Sequence, residues 1–162
     1  VPRMTRLFVR PISSSHEEVP PVSEQIYDWS RKALSASVDD ALDFVSDAPY
    51  VTGINCVIGR LQEAFRDVAV FYQKQSGVSG WLVSIRFEGE DLPLAEAHDI
   101  GLQFARNMWG DRFQCVISTC RHDGMTFDHI LIHSVSFLDG RKVDDDEKNW
   151  FFLRHQLRAV MK

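Results

Sequence analysis

The chain of 162 residues lacks an apolar run of the ~18–20 residues that a membrane-spanning helix requires. It also lacks a recognisable signal peptide, because the apolar piece of MTRLFVRPIS is short and is broken by arginines. We therefore expect a cytoplasmic protein that makes no membrane contact. Its three cysteines, Cys56, Cys115 and Cys120, form no CxxC pair. An odd number of cysteines without a secretion signal indicates reduced thiols rather than a disulfide framework.

The sequence also lacks an excess of basic residues. Lysine and arginine number 18 against 23 acidic residues, which gives a formal net charge of −5. A protein built mainly to grip a nucleic-acid backbone usually carries the opposite balance, although a local basic face is compatible with it. The composition, 44% hydrophobic and 25% charged, is that of an ordinary globular protein.

We expect one domain over residues 4–162. Val1–Arg3 precede the first methionine and are taken to lie outside it. The final NWFFLRHQLRAVMK ends within an amphipathic run and has no capping signal, so we expect the chain to be part of a longer protein.

Periodicity predicts a mixture of strands and helices without strict alternation. Strand patterns occupy TRLFVRPI, GWLVSIRFEG, RFQCVISTCRH and DHILIHSVSF, the last two joined by the turn-rich DGMT. Helical patterns occupy SEQIYDWSRKALS, VDDALDFVSD, IGRLQEAFRDVAVFYQKQSG, EDLPLAEAHDIGLQFARNMWG and DEKNWFFLRHQLRAVMK, while APYVTGIN is expected to turn the chain. This order favours an α+β fold with an antiparallel-rich sheet and helices packed on one face.

The two late strands carry a high density of metal-ligating side chains. Strand alternation places Cys120 and His122 on one side of the first strand, from where they could reach His129 across the hairpin. Such a set would suit zinc better than magnesium. The alternative is a hairpin with solvated histidines and a buried thiol.

From about Ala41 to the end, four segments together resemble the relaxases of plasmid mobilisation and conjugative transfer, which have the histidine-hydrophobe-histidine endonuclease fold. ALDFVSDAPYVTGINC resembles the opening block of that family, and AEAHDIGLQFARNMWGDRFQCVIST resembles its helix-plus-strand block. HILIHSVSFLDGRKV resembles its His-x-x-x-Asn-Ser-Val block, and LRHQLRAVMK resembles its late helix. The order and intervals of the four segments make the resemblance specific.

The resemblance implies a five-stranded antiparallel sheet with flanking helices, related to rolling-circle initiators. It also implies a DNA-nicking transesterase, in which a tyrosine hydroxyl attacks a DNA phosphate and a hairpin histidine cluster holds a divalent cation. The tyrosine position falls on Phe44, which has no oxygen to attack with. The hairpin pattern falls on Cys120, His122, Met125, Phe127 and His129, of which only His129 keeps the residue type of the family.

These changes in two segments that serve one reaction predict a degenerate member of the family that does not nick DNA efficiently. We expect no cofactor, and a divalent metal ion (Mg²⁺, Mn²⁺ or Zn²⁺) held by His129, His122 and Cys120 is the alternative. Retained binding of single-stranded DNA would use a set of four basic residues: Arg86, Arg121, Arg141 and Lys142. Two further alternatives are a scaffold or regulator for mobilisation-system proteins, and an active nickase that uses Tyr50 as a displaced nucleophile.

Overall fold

One antiparallel sheet organises the molecule. The computed structural model describes residues 3–13, 37–88 and 92–162. Within them five strands pair in the order β1-β3-β5-β4-β2. The strands are β1 Met4–Ser13, β2 Tyr50–Ile54, β3 Val78–Phe87, β4 Cys115–His122 and β5 Met125–His133. The helices of these ranges are α1 Val38–Ser46, α2 Leu61–Phe71, α3 Leu94–Trp109 and α4 Trp150–Met161. The predicted α+β fold with a five-stranded antiparallel sheet is confirmed.

Two expectations about this architecture are wrong. The segment APYVTGIN does not merely turn the chain, because it contains the edge strand β2, which pairs along β4. The helices also do not share one face of the sheet, since two separate apolar cores lie on opposite sides of it. The predicted helix SEQIYDWSRKALS, with Trp29 and Tyr27, lies outside the described residues.

Strand alternation explains why there are two cores. Successive side chains of a strand point to opposite faces, and both faces of the central strands are apolar. Leu82, Val116 and Leu131 pack with α1 and α2, on what we call the α1 face. Val83 and Ile130 belong to the other cluster, with residues of α3 and α4, on what we call the α3 face.

Helix α1 has an N-terminal cap and a buried stripe. The Ser37 hydroxyl accepts the backbone N–H of Asp40 at 3.1 Å, which satisfies one of the donors left open at the start of a helix. Ala41, Leu42 and Val45 are buried at helical spacing. Ala41, Leu42 and Val45 therefore face the sheet, and the half-buried Phe44 lies at the margin of this stripe.

Within these same ranges, no helix combines the length and the apolarity that crossing a bilayer requires.

Candidate functional site

The side chain at position 44 lies directly against the hairpin formed by β4 and β5. The ring centroids of Phe44 and His129 are 5.0 Å apart, and the ring planes are tilted by 58°. Phe127 stacks on the same imidazole, with centroids 5.7 Å apart and planes within 11° of parallel. Position 44 therefore faces the hairpin, and the residue in contact there is the histidine that matches the family pattern.

His129 is buried from solvent and held by its neighbours on β3 and β4. It is 1% exposed, and strand register places it opposite Ser84 of β3 on one side and Ser118 of β4 on the other. Its Nδ1 forms a hydrogen bond of 2.9 Å with the Ser84 hydroxyl. Burial, with a smaller contribution from His122, lowers the pKa of His129 to about 3. The imidazole is therefore neutral at physiological pH.

The other two predicted ligands do not gather around His129. Cys120 lies opposite Phe127 and His122 lies opposite Met125, so the three share the α1 face but occupy successive rungs of the hairpin. Four residues of strand separate the His129 rung from that of His122, about 13 Å. Across the described ranges, no three His, Cys, Asp or Glu side chains lie close enough to hold a metal ion. Register therefore spreads the predicted ligands Cys120, His122 and His129 over three rungs of the hairpin.

Tyr50 lies away from this hairpin surface. It is the first residue of β2 and pairs with Thr119, whose side chain points to the α3 face. The Tyr50 ring contacts His98 of α3, with centroids 5.7 Å apart. Phe44 approaches His129 from the α1 face, so the two aromatic residues lie on opposite sides of the sheet.

The four predicted DNA-binding residues do not form one surface. Arg86 lies on the α1 face, whereas Arg121 lies on the α3 face and donates from Nη2 to the Leu92 carbonyl at 2.7 Å. The Lys142 ammonium donates to the carbonyls of Ser76 and Val78.

The remaining two residues lie far from Arg86 along the sheet. Lys142 and the exposed Arg141 are at the Val78 end of β3, and eight residues of strand, about 26 Å, separate that end from Arg86. Register instead places Arg6 of β1 directly opposite Arg86.

A buried polar chain on the α3 face was not predicted. Thr52 contacts His98 Nε2 at 2.7 Å, His98 Nδ1 contacts the Thr119 hydroxyl at 2.9 Å, and that hydroxyl donates to Asp128 at 2.5 Å. Because Thr119 gives its hydrogen to Asp128, it accepts the Nδ1–H of His98, and Nε2 is left to accept from Thr52. Nothing in the pattern of polar residues in β4 and β5 indicated that Thr119 and Asp128 would join His98.

The buried carboxyl of this chain explains part of the motif AEAHDIG. Burial raises the pKa of Asp128 well above its usual range, which the hydrogen bond from Thr119 and the backbone of Gly101 partly oppose. A Cβ added at Gly101 would overlap the Asp128 carboxylate. His98 and Gly101 of the motif thus serve the joint between α3 and the sheet, and neither reaches the Phe44–His129 contact.

The molecule is an α+β domain in which the hairpin histidine His129 faces the helix α1. Comparison with known families agrees, since the model of the family Relaxase: MobA/VirD2-like, nuclease domain matches residues 44–162. The match covers most of the chain, which therefore belongs to the relaxase nuclease-domain family.

Two curated relatives, both named Protein rlx from Staphylococcus aureus, are similar to the chain. One is 24% identical over 119 residues, which is 73% of this chain and 37% of the relative. The other is 24% identical over 97 residues, which is 60% of this chain and 30% of the relative. The chain thus spans about a third of the length of the curated relatives it matches.

Proposed function

We propose that this chain is a relaxase-type domain of a DNA mobilisation system that contacts single-stranded DNA without cutting it. The observation that carries the proposal is the contact between Phe44 and His129. A strand-nicking relaxase needs a hydroxyl at the position that faces its histidine hairpin. A phenyl ring there can pack against the imidazole but cannot attack a phosphate.

The donor set of the hairpin does not fit a divalent cation. Mg²⁺ and Mn²⁺ prefer oxygen ligands and Zn²⁺ prefers a compact nitrogen and sulfur set. Here the ring of His129 lies between two phenyl rings and its Nδ1 is bonded to Ser84. Met125 and Phe127 occupy two further positions of the ligand pattern, and a phenyl ring offers no ligand atom.

The charge on α1 also opposes a phosphate at the Phe44 position. Four aspartates, Asp39, Asp40, Asp43 and Asp47, lie on the helix or at its end, and residues 38–47 contain no lysine or arginine. A phosphodiester brought to the ring of Phe44 would approach these carboxylates. Repulsion between the phosphate and these carboxylates would make the free energy of binding less favourable, most strongly at low ionic strength.

Contact with single-stranded DNA is supported two residues along β3 from Ser84, where Arg86 lies opposite Phe127 of β5. Arg6 and Arg86 are directly opposed on neighbouring strands of the α1 face. Phe8 follows Arg6 on the same face, and the Arg10 guanidinium lies 5.2 Å from its ring centroid. Basic groups beside an aromatic ring are the combination that single-strand-binding surfaces use.

A covalent-adduct assay tests the proposal. The protein is incubated with a pool of single-stranded oligonucleotides and Mg²⁺, Mn²⁺ or Zn²⁺, and intact mass is measured after denaturation. We expect no adduct with the wild type. An adduct that disappears in Tyr50→Phe would establish the displaced-nucleophile alternative and overturn the proposal of a non-cutting domain.

A scaffold function is the second candidate, and large exposed apolar side chains favour it. Phe71 of α2 is 76% exposed and Phe151 of α4 is 77% exposed. Light scattering of the purified protein, with Phe71→Ser and Phe151→Ser as matched variants, distinguishes self-association through these rings from a monomer that binds DNA.

A further inference from the structure

A small cavity lies between α1, α2 and the end of the sheet opposite the two arginines. Its volume is about 190 Å³, room for about six water molecules at ~30 Å³ each. The cavity is lined by Leu42 of α1, Phe65 of α2, and His133 at the end of β5. None of the roles considered above for the hairpin uses this cavity.

His133 is the unusual member of the lining. It is 2% exposed, and its ring stacks on Phe65 with centroids 4.6 Å apart and planes 26° from parallel. Its Nδ1 is buried and has no hydrogen-bond partner among the residues that the structure describes. Burial, with a smaller contribution from Lys142, lowers the pKa of His133 to about 4, so the ring is neutral at physiological pH.

The mouth of the cavity carries groups that donate and groups that accept hydrogen bonds. Gln62 and Gln75 each offer both kinds, Arg66 offers donors only, and Asp39 offers acceptors only. An aromatic and aliphatic floor with a mixed polar rim fits a small planar ring that has donors and acceptors along its edge. A free phosphate would meet the Asp39 carboxylate, and a metal ion would find one imidazole and one carboxylate.

We propose that this cavity binds a single nucleobase. The face of the base packs on the apolar wall beside Phe65, and its polar edge meets the amides of Gln62 and Gln75. The base comes either from a free nucleoside or nucleotide or from one residue of a single strand. This inference does not depend on whether the chain cuts DNA. Only the binding of a base that belongs to a DNA strand rests on the proposed function.

Titration with the four deoxynucleosides and their monophosphates at millimolar concentrations tests the free-ligand source. The readout is the imidazole NMR signal of His133, assigned by its loss in His133→Asn, together with calorimetric affinity. We expect a saturable shift of that signal and a dissociation constant of about 10 μM to 1 mM for at least one base.

Matched glutamine variants establish the location of binding. Gln62→Ala removes an amide at the cavity mouth and should weaken binding by about tenfold, the value of one hydrogen bond. Gln103→Ala removes an exposed amide from α3, on the other side of the sheet, and should leave binding unchanged. Equal affinity of the wild type and Gln62→Ala would overturn the proposal.

A second arm uses short single strands with normal bases or with abasic sites throughout. If only the strand with bases shifts the His133 signal, and Gln62→Ala weakens that binding, the base belongs to a strand. If neither nucleosides nor strands shift the signal, no nucleobase enters the cavity and the inference is overturned. That failure leaves the non-cutting proposal intact, because the adduct assay tests it separately.

Discussion

The phenyl ring of Phe44 and the imidazole of His129 lie 5.0 Å apart across the space between α1 and the hairpin. In the family to which the chain belongs, this is where an attacking hydroxyl would be required. Phe44 offers no hydroxyl for such an attack, while His129 keeps the residue type of the family pattern.

Restoring the hydroxyl alone should not restore cutting. Phe44→Tyr adds an oxygen at the half-buried edge of α1, but the hairpin still offers no compact ligand set for a cation. We expect the variant to fold and to form no covalent DNA adduct by intact mass under the conditions of the wild-type assay. An adduct on residue 44 would show that the hairpin supports catalysis without the ligands we consider necessary.

DNA contact at the β1–β3 edge, through Arg6 of β1 and Arg86 of β3, predicts an affinity for single strands that falls as the salt concentration rises. Arg6→Ala and Arg86→Ala should each weaken binding and should each lower the slope of log affinity against log salt by about 0.7. Fluorescence anisotropy with a labelled oligonucleotide measures both quantities. Arg106→Ala is the control, because Arg106 is exposed on α3, away from this edge. Equal slopes in all variants would exclude the edge as the contact surface.

The close packing of α3 on the sheet predicts that one added methyl group lowers the free energy of unfolding. Gly101→Ala would place a Cβ against the Asp128 carboxylate, and overpacking of this kind costs about 1–3 kcal/mol. Urea denaturation measures the loss. The exposed Gln103→Ala on the same helix should change the free energy of unfolding by less than about 0.5 kcal/mol. An unchanged free energy of unfolding in Gly101→Ala would mean that α3 can move away from Asp128.

Burial of His133 predicts a loss of stability in acid. Its pKa is about 4 in the folded protein and about 6.5 when unfolded. Between these pH values the unfolded chain therefore binds one proton more than the folded protein. The stability that the neutral His133 contributes, on the order of 3 kcal/mol, is lost as pH falls from 6.5 through 4. The facing charged groups are Asp39, Arg66 and Lys142.

The measurement is the difference in unfolding free energy between the wild type and His133→Asn as a function of pH. That difference should shrink as pH falls from about 6.5 to about 4, because only the wild type carries the titrating group. A constant difference for His133→Asn would mean that the ring is protonated as easily in the folded protein as in the unfolded chain.

Local periodicity predicted most of the fold, because the long elements carry strong signals. The alternation in GWLVSIRF and the caps around α3 were sufficient for those elements. The strand Tyr50–Ile54 was missed, since five residues at a sheet edge bury one face only partly and contain a glycine. The two-sided placement of the helices was also missed, because it depends on which element packs over which face of a central strand.

The candidate site was predicted in part. Motif order indicated Phe44 as the position that corresponds to the tyrosine, and the structure brings its ring against His129. Strand alternation indicated a shared face for Cys120, His122 and His129 but not their distances, and register spreads them along the hairpin. Strand register decides that His129 lies beside Ser84 and Asp128 beside Thr119. These two pairings therefore could not be assigned from the sequence.

The most direct test of the central claim is the amount of divalent metal that the hairpin holds. Protein dialysed against Mn²⁺ or Zn²⁺ is analysed for metal per chain, with His129→Ala as the reference. We expect no site tighter than about 1 mM and no difference between the two proteins. One ion bound per wild-type chain, and lost in His129→Ala, would contradict the proposal that the hairpin holds no catalytic cation.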